Sequence, residues 1–490
     1  MIAAPWYLGA QTLAIGDGAV VTIGVGASVS YGTAASSGTV TSNAVTKLII
    51  ESDATGSGSL ISEGSSVKAT VKRYIPHTSA WNMVTPSTSD VTGQNFYDAA
   101  GGSSSWLTKF YEPNGTSQVA GTGWIYITDL DSTFTLGTGF SYWPAVADET
   151  VEFKGNLQDG DLTLSTSNDG LSYTTDHGFN LIGNPFPCAL TFDSDWNETS
   201  VNEVIWIWNG SQYEPNNNIG NSTGDIPVGQ GFFVRATGTD ASITIPTSKR
   251  VHTNPAFLKG SETIINNDFE ILYINAYNNN YSDKVLISFG ENGTDQYDNG
   301  YDAEKMFGSV DAPQLYLVEA AGNQSFDHLP LLEEGESRTV EMGYVAGANG
   351  FQTLVADFSS FVDIDVVLED LFTNVEHDLN QNPVYEFTGS KEDDPNRFLL
   401  HFAYSPDGIG DEDSNNNGIS IYSYDKQIYI SSVGLLNGNV AIYDIMGREL
   451  YEQKLHNTQK EQFSINVSNT YVIVQLNTGN TIKTQKVFIK

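Results

Sequence analysis

The chain has 490 residues, 39% hydrophobic and 11% aromatic, enough to build several hydrophobic cores and too apolar for a disordered polymer. Its formal net charge of −37 repels polyanions and argues against nucleic-acid binding by phosphate neutralisation. The single cysteine, Cys188, excludes an intrachain disulfide and a multi-cysteine metal site, and is expected to be a small buried side chain beside Pro187. No apolar run reaches the roughly 18 residues that a membrane-spanning helix needs.

The punctuation is that of an all-β, multidomain protein. Forty-seven glycines break the chain into short segments rich in Val, Ile, Thr and Tyr, and apolar residues rarely recur at helical spacing. The best short helix candidate, Val366 to Asn374, reads equally well as a strand.

Residues 1–72 open with an echo. Ile15-Gly-Asp-Gly-Ala-Val-Val-Thr22 is followed by Ile23-Gly-Val-Gly-Ala-Ser-Val-Ser30, each a glycine turn and a few strand residues. The pattern suits rungs of a short β-solenoid-like segment, with Leu48-Ile-Ile-Glu51 and Ser59-Leu-Ile-Ser62 as further rungs; an ordinary β-meander is the alternative. So short a solenoid is not stable alone, which raises the expectation of more rungs ahead of Met1.

Residues 73–253 give strands separated by turn clusters, as in a β-sandwich: Gly123 to Thr128, Thr150 to Lys154, Asp161 to Ser165 and Gln230 to Arg235. Asn209-Gly210 predicts a two-residue hairpin turn that sets Trp206 opposite Tyr213. Trp206, Trp208 and Tyr213 then form either a patch able to stack on sugar faces, a glycan platform, or half of a sandwich core. The stretch Gly178 to Pro187, with Ile226 to Phe233, resembles β-domains common among surface proteins of the type IX secretion system of Bacteroidota.

A second β-sandwich is expected over residues 254–403, with strands such as Phe269 to Asn275, Lys284 to Phe289, Gln314 to Val318, Thr353 to Asp357 and Arg397 to Phe402. Within it, Glu291, Asp295, Asp298 and Asp302 crowd one loop, which is either a structural Ca2+ site of hard oxygen ligands or a solvated acidic loop. Residues 404–418 read as a linker rich in Gly, Asn and Asp; its alternating Asp411, Asp413, Asn415 and Asn417 lack the glycine and closing glutamate of a calcium loop.

No catalytic constellation stands out. Nucleophile elbow, zinc helix and phosphate loop are missing from the sequence, the seven histidines show no ligand spacing, and no pair can be picked as catalytic among 59 carboxylates.

The last segment, residues 419–490, reverses the charge. Lys and Arg stand against Asp and Glu at 9 to 23 over residues 1–253, 6 to 31 over 254–418 and 7 to 5 over 419–490. Its motifs are Asn439-Val-Ala-Ile-Tyr-Asp-Ile-Met-Gly-Arg-Glu-Leu450, Tyr471-Val-Ile-Val-Gln-Leu476 and the basic end Lys486-Val-Phe-Ile-Lys490. This resembles the C-terminal sorting domain of proteins exported by the type IX system, an Ig-like β-sandwich. The resemblance implies that Gly447, Arg448, Lys486 and Lys490 carry the sorting signal. It also implies partners: the secretion machinery, a sortase that cuts in the linker, and surface lipopolysaccharide as the tether.

The expected function is therefore that of a secreted, cell-surface-anchored adhesin or structural protein on the outer surface of a Gram-negative bacterium, without catalysis. Glycans or neighbouring surface proteins would be its ligands, with Ca2+ as the candidate ion. The alternative is the carbohydrate-binding portion of a larger secreted polysaccharide-degrading enzyme; an unrecognised hydrolase stays open. Because Met1 to Leu8 lacks a basic stretch followed by an apolar one, no signal peptide is evident there, and a mature, trimmed or partial N-terminus is expected.

Overall fold

In the computed structural model, the residues described are 12–14, 20–31, 39–42, 44–62, 67–76, 80–102, 106–114, 123–146, 148–168, 177–193, 195–217, 224–255, 257, 271–278, 280–320, 322–333, 336–358, 364–404, 419–424, 427–465, 467, 470–479 and 482–489. Strands account for 55% of the chain and helix for 3%, so the fold is all-β, as alternating segments between glycine turns predict. Two compact units divide it, Met1–Ile265 and Asn266–Lys490.

The first unit begins with parallel pairing. Thr12–Ala14 lies on Thr39–Thr41, Val21–Ile23 on Leu48–Ile50 and Ser28–Tyr31 on Ser59–Ser62. Parallel strands need a crossover between them, so each pair joins successive coils of a solenoid-like stack. The octad echo is therefore not the rung repeat. Val21–Ile23 and Ser28–Tyr31 are successive arms of one coil, and each pairs with an arm of the next. Ile23, Leu48, Ile50, Leu60 and Val71 fill its interior, each fully buried side chain contributing about 1.5–3 kcal/mol.

Lys68–Tyr74 ends this stack. One edge pairs in parallel with Leu48–Ile50, the other in antiparallel with Thr150–Asn156, so the coil runs on into antiparallel structure. A four-stranded sheet follows, in the order Asn82–Val84, Phe140–Trp143, Trp106–Phe110, Trp124–Tyr126. Another runs Phe179–Gly183, Gly231–Arg235, Ile205–Trp208, Tyr213–Asn216. The helix Gly93–Ala99 lies between strands; Thr92 accepts the Gln94 N–H and Asn95 reaches back to the Thr92 N–H, a capping box that closes both ends of the turn.

Most of the second unit is one sheet. Its order is Val375–Asp378, Ile364–Asp370, Phe398–Tyr404, Ser337–Val345, Gln314–Glu319, Gly322–Pro330, Ser282–Gly290, Ile271–Tyr277, Gly350–Asp357, Val384–Gly389, with Ala303–Glu304 beside Gly322–Pro330. Residues from both ends of that order, Val366 and Phe398 at one and Leu354 and Phe387 at the other, share a single core, so the sheet curls around it. Of the segment Val366 to Asn374 that could have been helix, the part up to Asp370 is strand, because its neighbour Phe398–Tyr404 supplies the pairing edge, and the rest is the turn into Val375–Asp378.

The C-terminal segment has its own sheet, ordered Ser420–Tyr424, Gln427–Asp444, Thr470–Asn477, Ile482–Ile489, with Glu449–Ser464 also on Gln427–Asp444. Ile421, Ile428, Val440, Ile442, Val472 and Val474 form its separate core.

Candidate functional site

The hairpin aromatics are interior. Trp206 is 0% exposed, Trp208 7% and Tyr213 8%, so they make no glycan platform. The turn explains the register. Asn209 Oδ1 accepts the N–H groups of Ser211 and Gln212 at 2.9 and 2.8 Å, opening a four-residue turn in place of the expected two. Trp208 then faces Tyr213, and Trp206 faces Pro215. The expected pairing of Trp206 with Tyr213 is corrected accordingly.

An exposed aromatic group lies elsewhere. On Trp106–Phe110 and Phe140–Trp143, Trp106 and Trp143 stand directly opposite one another. Trp81 enters beside them, just ahead of Asn82, which pairs with Tyr142. The three indoles form a triangle with ring centres 5.5, 6.0 and 6.2 Å apart; Trp81 meets Trp143 edge to face, and Trp106 is tilted 36° and 40° to the other two. Trp106 is 51% exposed and the other two are half-buried. Tyr126, on the edge strand and opposite Thr108, is also exposed.

The triangle has a rigid foundation. The buried Trp208 donates its indole N–H to the Trp81 carbonyl at 3.0 Å. Asn82, fully buried, donates to the carbonyls of Ala80 and Tyr142 at 3.0 and 3.4 Å. Behind Trp208 the rings of Tyr213 and the fully buried Phe233 follow in successive contacts, and Phe110 and Trp124, both half-buried, pack on Phe233 from the neighbouring sheet. Trp81, Trp106 and Trp143 are not legible in the sequence because they come from three separate segments whose meeting depends on sheet order.

The acidic loop does not gather its carboxylates. Asp302 is fully buried and accepts the Asp298 and His328 N–H groups at 2.7 and 2.8 Å. Burial nevertheless pushes its carboxyl up to about 7. Asp298 accepts the Thr294 N–H and hydroxyl, Asp295 pairs with Arg338, and Glu291 sits exposed at the loop's start. Among the described residues no group of three or more His, Cys, Asp or Glu is placed to hold a metal ion, so the Ca2+ expectation for this loop does not fit. Its carboxylates serve as acceptors that shape the loop.

Two other carboxylates in the second unit contrast sharply. Asp370 receives the Arg397 guanidinium at 3.1 and 2.7 Å and the Tyr385 hydroxyl at 2.8 Å. Burial alone would raise its carboxyl, but these donors with the Phe372 N–H hold it below the usual range. Arg397 also lies over the Phe387 ring, 4.3 Å from its centre. Asp327, 1% exposed, meets no donor at either oxygen. Its neighbour is the Glu319 carboxylate, so a hydrogen bond between them requires a proton on one of the pair. Burial, then Glu319, then Asp302 raise the Asp327 carboxyl strongly.

Hydroxyl and histidine pairs also occur. Ser288 Oγ lies 2.7 Å from His328 Nδ1, but both are buried. Tyr301 stacks on the imidazole at 4.9 Å, and a Cβ at Gly290 would come within 2.4 Å of it. Thr339, His401 and Glu369 form a hydrogen-bonded row across neighbouring strands, with His401 Nδ1 3.0 Å from the hydroxyl and Nε2 2.8 Å from the carboxylate. Cys188 is fully buried and its thiol is pushed up to about 12 by that burial, which makes it inert.

In the C-terminal segment Gly447 has φ 82°, and a Cβ there would meet nothing, so backbone conformation alone demands glycine. Asp444 closes the turn. Its carboxylate accepts the Met446 and Arg448 N–H groups and the Arg448 Nε at 3.0, 2.9 and 3.0 Å. Arg448 remains exposed, and Ile445 and Met446 beside it are 65% and 86% exposed, an apolar tip the sequence did not single out. Lys486 lies on Ile482–Ile489 opposite Ile473, and Lys490 lies outside the described residues, as does the linker from 405 to 418.

Two family descriptions match the chain: a domain of unknown function (DUF8693) over residues 209–402 and another (DUF8694) over 408–489. No curated protein matches it. Among solved structures, the central fibronectin-III array of RIM-binding protein aligns with 36% of this chain and 86% of its own, at 10% identity and a TM-score of 0.11.

Proposed function

We propose that this chain is an exported, surface-tethered protein with a non-catalytic binding or structural role, delivered by a type IX secretion system through residues 419–490. The observation that carries the reading is the turn Asp444 to Arg448. It combines a glycine required by its backbone, an exposed arginine and an exposed apolar tip, on a segment with its own sheet and core. A recognition element has to be accessible and held in shape, and the exposure of this turn and the hydrogen bonds of Asp444 within it support that reading. The non-catalytic role is supported by two of the body's buried carboxylates, which are paired with buried cations: Asp370 with Arg397, and Asp283 with Lys305 at 2.5 Å. The machinery, a sortase acting in the 404–418 linker, and lipopolysaccharide would be the partners.

The test is expression in a Bacteroidota host with an active type IX system, behind a general secretory leader. The full chain should reach the outer surface and lose its C-terminal segment, while a chain ending at Gly418 should accumulate in the periplasm. Equal surface display of the truncated chain, or surface protein found only with Lys490 uncut, would contradict the reading. The alternative, the binding portion of a larger polysaccharide-degrading enzyme, is favoured by the exposed indole triangle.

A further inference from the structure

We infer that Trp81, Trp106 and Trp143 form a binding site for a neutral, β-linked, gluco-configured polysaccharide chain, with Trp106 as the stacking face. The inference is independent of how the protein is exported.

Large aromatic side chains bury their faces unless another cost intervenes, and an indole half exposed on a sheet leaves apolar area in water. Here three such rings converge on a triangle comparable in size with one pyranose ring. The tilts matter. With Trp81 edge-on to Trp143 and Trp106 inclined to both, the group is no flat platform for a crystalline surface but a shallow seat with one broad open face. The seat is also held in place before any ligand arrives, since Trp208 and Asn82 fix the backbone on either side of Trp81. Preorganised aromatic groups lose little entropy on binding.

Charge selects among ligands that stack on indoles. Nucleobases do so, but each nucleotide brings a phosphate, and residues 1–253 carry 9 basic against 23 acidic side chains. Uronic or sulfated glycans meet the same repulsion. A neutral sugar does not. Among neutral sugars, β-linked glucose units hold their ring hydroxyls and linkage bonds equatorial, so each ring presents C–H groups on both faces and hydroxyls at its rim. That geometry sets apolar face on indole and leaves the hydroxyls to solvent and to the nearby Tyr126.

The experiment is isothermal titration of the full chain with cellohexaose and with laminarihexaose, alongside W106A and W106F. Saturable binding is expected for at least one of the two, with Kd between ~1 µM and ~1 mM. W106A should weaken it at least tenfold without lowering the melting temperature, and W106F should recover part of the loss. Absence of saturable binding to either oligosaccharide would overturn the site, as would equal affinity in W106A. Self-association abolished by W106A, without sugar binding, would assign the triangle to a second copy and equally overturn it.

Discussion

Two groups of aromatic side chains in the first unit share composition and differ in fate. Trp206, Trp208 and Tyr213 sit on strands inside a four-stranded sheet whose two faces are both covered: Ile205, Ile207, Phe232 and Val234 pack into one core, while Trp206 packs against Phe179 on the other side. Even Gln212 and Glu214, polar partners in the same hairpin, are buried. Trp81, Trp106 and Trp143 occupy one end of a neighbouring sheet, where the row leaves the core. Alternation along a strand shows that two faces differ. It does not show which face meets water, because a sheet buried on both sides alternates too when its two cores differ in character.

The sharpest way to break the contrast is to truncate one member of each group. W206A removes a fully buried indole and should cost about 3–5 kcal/mol of stability, read as a fall in the denaturant midpoint. A cost near zero would mean that the ring is dispensable to the core.

The second unit repeats the contrast in charged groups. R397M strands the Asp370 carboxylate and should cost about 3–5 kcal/mol in the same measurement. Asp327 is the opposite case, a buried carboxyl beside another carboxylate. Its folded-state pKa is raised, so the stability tied to its proton is complete below the unfolded value near 4 and is lost as the pH climbs towards the folded one. D327N, permanently neutral, should therefore stabilise the protein by about 1–3 kcal/mol at pH 8 and by less at pH 5. A variant less stable than the parent at pH 8 would show that the carboxylate has a partner after all. The smallest effect belongs to W106A, whose half-exposed ring should change stability by no more than about 0.5 kcal/mol. A large loss would move Trp106 into the structural group.

Much of the architecture was legible, for a physical reason. Period-two alternation between glycine turns marks strands locally, and Thr150–Asn156, Gly231–Arg235, Gln314–Glu319 and Gly350–Asp357 fall where it places them. Near the N-terminus the expected solenoid-like rungs are matched by parallel pairs. Their register was not legible, because the octad echo at 15–30 is local whereas Val21 pairs with Leu48 across a whole coil. The helix Gly93–Ala99 escaped notice, since seven residues carry too little periodicity and the cue, Thr92 with Asn95, replaces the usual Glu or Gln. The site was the least legible part. Asn209-Gly210 favours a two-residue turn, yet the Asn209 side chain found closer donors in Ser211 and Gln212. Proximity of Glu291, Asp295, Asp298 and Asp302 along the chain said nothing of direction, and Asp302 turned inward to the His328 amide.

The most direct test of the aromatic contrast follows the indole N–H signals of all eight tryptophans in an 15N-labelled, full-length chain during titration with cellohexaose or laminarihexaose. Saturable shifts are expected for Trp81, Trp106 and Trp143, a smaller one for Trp208 through its bond to Trp81, and none for Trp196 or Trp206. Shifts confined to Trp196 and Trp206, or none in the triangle at saturating sugar, would contradict the contrast.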